Sequence, residues 1–119
     1  MNELRDWTRE QEGIVYQACR TCEARWYFER RFCPHCGTAE PLRSQASGRG
    51  TVYSVTTIHR APTEAMREHT PYTIVLIDTD EGFRMMGHGA ADLRIGETVR
   101  AGYRAIAGKL MPFFDREQP

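Results

Sequence analysis

The chain has 119 residues, of which 40% are hydrophobic, and its 16 Lys and Arg balance its 16 Asp and Glu. This length allows one domain or two very small ones, and the composition is that of a globular protein rather than a disordered one. A formal net charge of zero argues against a nucleic-acid-binding protein, which usually carries a basic surplus.

The N-terminal segment predicts a short helix rather than an export signal. Leu4 and Trp7 are three residues apart, as on one helix face, and Gly13 is a suitable stop for a helix that begins at Asn2. No charged-then-apolar signal is present, and the longest apolar run, Ile74 to Ile77, is too short to span a membrane. We therefore expect a cytoplasmic protein, in which cysteines bind metal more often than they form disulfides.

The most specific motif is a pair of CxxC sequences separated by ten residues. Two intervening residues let both sulfurs of a pair face one centre about 2.3 Å away, as tetrahedral zinc requires. Four thiolates leave no open coordination position, so the sequence predicts a structural zinc site, although four thiolates can also hold iron. The predicted metal ligands are Cys19, Cys22, Cys33 and Cys36.

Two alternative interpretations of this region stay open. The sequence from Cys33 to Cys36, C-P-H-C, also matches the active site of thioredoxin-related thiol oxidases, but no helix start or βαβ pattern accompanies it. Between the two CxxC pairs, residues 25–32 mix aromatic side chains with arginines. They form either a hairpin core packed on the metal site or a surface that stacks bases and binds phosphates. Trp26 and Tyr27 are also candidates for a contact with the rest of the chain or with a partner.

A short polar loop, residues 44–48, divides the chain into predicted domains 1–43 and 44–119. Beyond it, β-branched and aromatic residues predict five strands in about seventy residues, which is typical of the five-stranded OB-fold barrel. The unbroken apolar centre of the second strand predicts burial on both faces, and Pro112, which lacks an N–H donor, suits an edge. Residues 59–71 predict either a helical turn or a loop. The predicted strands are 51–58, 72–78, 83–87, 99–105 and 110–114.

No arrangement of residues typical of a catalytic site emerges. The sequence contains no P-loop, GxGxxG or GxSxG motif. The acidic turn from Asp78 to Glu81 is interpreted as solubilising, and the histidines as solvated loop residues, the last of them in a turn between two glycines. These histidines are His35, His59, His69 and His88.

Several short motifs follow one another along the chain in a fixed order. They are C-x₂-C, R-x-x-C-P-x-C-G, S-G-x-G-x-V-Y-S-x-T, D-x-D-E-G and I-G-x-x-V, at 19–22, 30–37, 47–56, 78–82 and 95–99. In this order they resemble the DUF35 family, whose members have a rubredoxin-like zinc ribbon followed by an OB-fold. The chain departs from the family pattern at Glu23, where glycine is usual, and at 27–29, where a proline usually precedes the arginine. The resemblance implies a mainly β fold with an N-terminal helix, a four-cysteine zinc ribbon and a five-stranded OB-fold barrel.

The resemblance also implies a role in acyl-CoA metabolism. Family members bind thiolase-like enzymes, including lipid-transfer-type thiolases, aldolases and HMG-CoA synthase-like enzymes, and act there as accessory or scaffold subunits rather than as the catalyst. Two alternatives are kept. One is a single-stranded nucleic-acid-binding OB-fold module with a zinc ribbon, against which zero net charge argues. The other is a weak hydrolase or hydratase activity of the chain itself.

A candidate ligand face follows from the OB-fold, whose second and third strands carry the binding surface. On this face Arg84 could meet a phosphate of CoA and Phe83 could stack on its adenine. The alternative is that Phe83 belongs to the core and Arg84 is a solvated strand residue.

Overall fold

The computed structural model describes residues 3–117, in which eight strands form two sheets, accompanied by two short 3₁₀ helices. This confirms the mainly β fold that the sequence predicts. No helix in this range is long and apolar enough to cross a membrane. The strands are β1 (Val15–Ala18), β2 (Arg25–Trp26), β3 (Leu42–Gln45), β4 (Arg49–Ile58), β5 (Tyr72–Thr79), β6 (Arg84–Gly89), β7 (Thr98–Ile106) and β8 (Lys109–Arg116), and the 3₁₀ helices are Trp7–Arg9 and Glu64–His69.

The N-terminal helix is a single 3₁₀ turn, shorter than the predicted span, whose first residue, Asn2, lies outside the described residues. The Asp6 side chain caps the turn by accepting a backbone N–H at 2.9 Å. The chain reverses at Glu10, which has a φ of 61°. The Trp7 N–H donates to the Gly13 carbonyl at 2.8 Å, so the segment closes on itself instead of continuing as a helix.

The first sheet carries the cysteines and has the strand order β2-β1-β3. β1 is central and antiparallel to both neighbours, with Gln17 opposite Trp26 on one side and opposite Arg43 on the other. β3 crosses the predicted boundary between residues 43 and 44, because its pairing with β1 continues to Gln45. The division into domains 1–43 and 44–119 stays a prediction.

The second sheet closes into a barrel with the strand order β4-β5-β6-β8-β7, in which β7 returns to β4. β6 and β8 pair in parallel, whereas the other neighbouring strands are antiparallel. This confirms the predicted five-stranded barrel. The second 3₁₀ helix connects β4 to β5, which settles the choice between helix and loop for residues 59–71.

Side chains alternate between the core and the outer surface along the barrel strands. In β5, Thr73, Val75 and Ile77 are buried, whereas Ile74 and Leu76 are only half-buried on the other face. The prediction of burial on both faces is therefore wrong, because only one face of each strand in a closed barrel points to the core. The core cluster runs from the first sheet into the barrel and consists of Ile14, Tyr16, Val52, Val75, Ile77, Phe83, Met85, Leu93, Val99 and Phe114.

Two predictions about single residues of the barrel, Pro112 and His88, are wrong. Pro112 is not at an edge, because β8 lies between β6 and β7 in a closed barrel. β6 pairs with β8 only at Phe113 and Phe114, so the missing N–H of Pro112 does not interrupt this pairing. His88 lies within β6 and not in a turn. The glycine before it serves close packing, since a Cβ on Gly87 would lie 2.8 Å from the Phe114 ring.

Candidate functional site

The four cysteines of the first sheet form one cluster. Their sulfur atoms all lie within 4.8 Å of one another, and no disulfide joins them. Two close contacts link the CxxC pairs, with Cys19 Sγ 3.4 Å from Cys36 Sγ and Cys22 Sγ 3.6 Å from Cys33 Sγ. Four sulfurs at about 2.3 Å from one tetrahedral ion are about 3.8 Å apart. The cluster therefore has the size and the donor set that a single thiolate-bound metal ion requires.

Backbone N–H groups surround the buried sulfur of each pair in the same way. The Sγ of Cys19 accepts N–H groups from Thr21 at 3.3 Å and Cys22 at 3.4 Å, and the corresponding N–H groups after Cys33 donate to its Sγ at the same distances. The Cys22 N–H and, to a smaller extent, the Thr21 N–H lower the pKa of Cys19 to about 6. A hydrogen bond with the Thr38 hydroxyl lowers the pKa of Cys36. These contacts favour the thiolate form of Cys19 and Cys36, which is the form that binds metal, whereas burial and the neighbouring sulfurs raise the pKa of Cys22 to about 12.

Each CxxC pair is followed by a residue with a left-handed backbone conformation. Gly37, after the second pair, has a φ of 79°, and Glu23, after the first, has a φ of 63°. Glu23 thus adopts the conformation for which glycine is the easier residue, and the departure from the family pattern at this position leaves the turn intact. The sulfurs of Cys19 and Cys33 belong to buried residues, whereas those of Cys22 and Cys36 belong to exposed ones, so one side of the cluster faces the surface.

Gln17 ties the segment between the two pairs to the first sheet, and the sequence did not single it out. Its side chain is 5% exposed, although it is polar. Its Oε1 accepts the Trp26 indole N–H and the Arg30 backbone N–H, both at 2.7 Å, and its Nε2 donates to the Arg30 carbonyl at 3.1 Å. A buried amide that satisfies three partners fixes the path of the chain between the CxxC pairs. Only its place at the centre of β1 marks it in the sequence.

Stacked aromatic rings join the cysteine-bearing sheet to the barrel. The Phe83 ring lies between Tyr16, at 4.9 Å between centroids, and Tyr27, at 5.8 Å, with interplanar angles of 19° and 7°. The Tyr27 hydroxyl accepts the Trp7 indole N–H at 2.7 Å, and burial raises the pKa of Tyr27. Phe83 is 4% exposed, so neither ring face is free. The predicted stacking of Phe83 on an adenine is therefore not possible in this conformation.

The aromatic segment between the CxxC pairs has two kinds of member. Trp26 donates its indole N–H to Gln17, and the Tyr27 ring stacks on Phe83. Phe28 is 75% exposed and Phe32 57% exposed. The structure therefore assigns the first two to packing and leaves the second two on the surface.

The acidic turn between β5 and β6 belongs, like the stacked rings, to the contact between the cysteine-bearing sheet and the barrel, which we call the joint. Glu81 accepts the Ser47 backbone N–H at 2.8 Å through its carboxylate, and its backbone carbonyl accepts Arg25 Nη1 at 2.6 Å. The Asp80 N–H donates to the Arg49 carbonyl at 3.0 Å. The D-x-D-E-G and S-G-x-G motifs thus meet each other at the joint, and the turn does more than solubilise the chain.

Arg84 is exposed on β6, and its guanidinium already has partners. Its Nε donates to Asp78 Oδ1 at 2.7 Å, and its Cζ lies 3.5 Å from the centroid of the Tyr53 ring. The hydrogen bond with Asp78 raises the pKa of Arg84 above its usual value. A phosphate at this position would have to displace a carboxylate. The assignment of Arg84 to a CoA phosphate stays a prediction.

Comparison with known proteins finds relatives for both parts of the chain. Residues 44–104 match the family model described as ChsH2, C-terminal OB-fold domain. A DUF35 domain-containing scaffold protein from Methanocaldococcus jannaschii is 29% identical over 110 residues, or 87% of this chain and 77% of that protein. A probable enoyl-CoA hydratase alpha subunit from Thermomonospora curvata is 32% identical over 77 residues, which are 65% of this chain but only 24% of that longer protein.

Two solved structures have the same fold. A chain of the Ltp2-ChsH2(DUF35) aldolase has a TM-score of 0.77 and 26% identity, and the match covers 92% of this chain and 91% of that one. A DUF35-family protein of unknown function from Sulfolobus solfataricus has a TM-score of 0.61 and 16% identity, covering 91% of this chain and 78% of that one. Matches of this extent include the cysteine-bearing sheet as well as the barrel.

Proposed function

The chain belongs to the DUF35 family, and on this premise we propose that it is a non-catalytic accessory subunit of a thiolase-like enzyme that acts on acyl-CoA substrates. The observation that carries the proposal is the likeness to the DUF35 chain of an aldolase, which extends over almost the whole of both chains. A relative that is named a scaffold protein supports a role in assembly rather than in chemistry. We expect the complex to be cytoplasmic.

The association with acyl-CoA has separate support. One relative is named as a subunit of an enoyl-CoA hydratase, although this chain matches only about a quarter of that protein. The part that matches is therefore one module of a longer chain. We propose that this module accompanies enzymes whose substrates are CoA thioesters.

We propose zinc as the metal of the cysteine cluster. Four thiolates suit tetrahedral zinc and leave no position for substrate, so zinc would hold the two CxxC turns together and supply no reaction chemistry. The N–H groups directed at Cys19 and Cys33 would offset the negative charge of the thiolates. Gln17 would then hold the segment between the two pairs on this sheet, and the stacked rings around Phe83 would connect the sheet to the barrel.

Co-expression with the thiolase-like enzyme of its own source organism tests the proposed function. We expect the two chains to elute together in size-exclusion chromatography in near-equal amounts. The purified complex should turn over a CoA thioester, and the chain alone should not. Turnover by the chain alone at the rate of the complex would contradict a non-catalytic role, and separate elution would contradict the association.

A further inference from the structure

A cavity of about 400 Å³ lies where β5, β6, β7 and β8 meet the end of the second 3₁₀ helix. Two imidazoles, one guanidinium and two aromatic rings line it. It is separate from the cysteine cluster and from Phe83 and Arg84, none of which contributes to its lining. These lining groups belong to His69, Tyr72, His88, Arg104 and Phe113.

Arg104 is the cationic group of this cavity, and an aromatic ring rather than an acid holds it. Its Cζ lies 3.6 Å from the centroid of the Phe113 ring, and it forms no ion pair within the described part of the chain. Arg100, four residues earlier on β7, is instead paired with Glu117 at 3.1 Å. Stacking on a ring occupies one face of the guanidinium and none of its N–H groups. Arg104 therefore keeps its donors for a ligand.

The two histidines add imidazole N–H donors, whose protonation depends on burial and on neighbouring charges. His88 is half-buried on β6, where its Cα pairs with that of Phe113, and its ring centroid lies 5.4 Å from that of Tyr72. Burial and, to a smaller extent, His69 lower the pKa of His88, so this imidazole is neutral at pH 7. The titratable groups that line the cavity are these two histidines, Tyr72 and Arg104. Glu68 lies 3.7 Å from His69 Nε2 but does not contribute to the lining.

We propose that this cavity binds a phosphate monoester carried on an organic group. A phosphate offers three oxygens, which match the fork of a guanidinium and one N–H from each imidazole. None of the described residues that line the cavity is acidic, and the Glu68 carboxylate beside His69 lies outside the lining. The volume is within the range of small-ligand sites, and Tyr72 and Ile106 provide a wall for the organic group. The inference goes beyond the proposed function, because the site needs no partner enzyme.

An NMR titration of the metal-loaded chain at pH 7 with phenyl phosphate tests the site. We expect saturable shifts of the imidazole resonances of His69 and His88 and none of His35 and His59. Inorganic phosphate should bind more weakly, because it cannot use the apolar wall. If His69 and His88 do not shift with phenyl phosphate, the proposal is wrong.

Two pairs of ligands distinguish the sources of the phosphate. If the 3′-phosphate of CoA is the natural group, CoA binds about tenfold or more tightly than dephospho-CoA, and adenosine 3′,5′-bisphosphate more tightly than adenosine. If phenyl phosphate binds but CoA and dephospho-CoA bind equally, the site holds and CoA is excluded as its source. That outcome leaves the association with a thiolase-like enzyme untouched.

Arg104→Gln and Arg100→Gln form a matched pair of variants, since both remove one charge from the same strand. We expect Arg104→Gln to weaken phenyl phosphate binding by about tenfold or more, as for the loss of a charged hydrogen bond, and Arg100→Gln to leave it unchanged. The amide spectrum of each variant reports whether the barrel is intact. Equal weakening by both variants would indicate only the net charge of the barrel and would overturn the assignment to this cavity.

Discussion

At the scale of single residues, Gln17 holds the chain between the two CxxC pairs in place. Its buried amide is shared among the Trp26 indole and the backbone N–H and carbonyl of Arg30. Each of these groups would lose its partner if the amide were removed, and a buried polar group without a partner costs roughly 1–3 kcal/mol.

We expect Gln17→Leu to lower the free energy of unfolding by about 1–3 kcal/mol, because the three part-buried hydrogen bonds of this buried amide are lost at once. Urea denaturation of the metal-loaded protein measures the change. Gln11→Leu is the matched control, since Gln11 is exposed and a surface change of this kind is typically within about 0.5 kcal/mol. Equal stability of the two variants would show that the Gln17 hydrogen bonds are not needed.

We expect Cys33→Ser to lose the metal and to unfold the first sheet, because binding free energy at such a site is also folding free energy. Metal content by mass spectrometry should fall from one metal ion per chain to near zero. His35→Ala changes the same turn and leaves the four sulfurs in place, so it should retain the metal. Full metal content in Cys33→Ser would contradict the ligand set.

Residue roles differ in how far the sequence reveals them. The cysteines can be assigned from spacing alone, because a CxxC turn fixes the geometry of both sulfurs locally. Gln17 and Phe83 cannot, because their partners lie on other elements: Phe83 meets Tyr16 and Tyr27 of the first sheet. The contact between Arg104 and Phe113 likewise becomes visible only when β7 and β8 are placed side by side.

At the scale of elements, glycines in β6 allow the barrel to close. A Cβ on Gly87 would lie 2.8 Å from the Phe114 ring, and one on Gly89 would lie 2.8 Å from Val75. The sequence pattern places a turn at these glycines, because glycine in turns and glycine in close packing look the same without the neighbouring strand. The positions of the other four barrel strands are predicted well, because β-branched and aromatic residues are typical of strands.

We expect Gly87→Ala to destabilise the barrel by about 1–3 kcal/mol, because the added methyl group overlaps a buried ring. Gly102→Ala is the control, as its Cβ would meet only the Phe113 carbonyl oxygen at 3.6 Å, an ordinary contact. Urea denaturation of both variants measures the two changes in the free energy of unfolding. A Gly87→Ala protein as stable as the parent would mean that the Phe114 ring moves aside freely.

A cluster of charges fastens β8 to the loop before β7. Arg116 contacts the carboxylates of Glu97 and Asp92, and its hydrogen bonds lower the pKa of both acids below their usual values. Because the folded-state pKa values are lowered, this contribution to stability is present above the usual carboxyl range, near pH 4, and is lost as the pH falls below it.

We therefore expect Arg116→Gln to lower the Tm at pH 7 and to have a smaller effect at about pH 2.5, because both acids become increasingly protonated as the pH falls below the usual carboxyl range. Arg67→Gln is the control, since its pair with Glu64 is exposed on both sides and should contribute little at either pH. Thermal unfolding followed by circular dichroism at the two pH values gives the difference. An equal loss of Tm at both pH values would rule out the two carboxylates as its cause.

At the scale of the whole molecule, the cysteine-bearing sheet and the barrel share one core. Tyr16 of β1 and Ile14, just before β1, belong to the same buried cluster as the barrel residues, and Glu81 bonds to Ser47 and Arg25 across the joint. Four of the five motifs that carry the family resemblance thus lie at the joint or at the cysteine cluster. A sequence can reveal such motifs in order without showing that they meet, because the contacts span more than thirty residues.

We propose that the molecule acts as an accessory subunit of an acyl-CoA enzyme. The most direct measurement is affinity purification of the tagged chain from its native cells, followed by mass spectrometry of the retained proteins and nucleic acid. We expect a thiolase-like enzyme in near-equal amount to the tagged chain. Recovery of RNA or DNA without such an enzyme would contradict the claim and favour the nucleic-acid-binding OB-fold module instead.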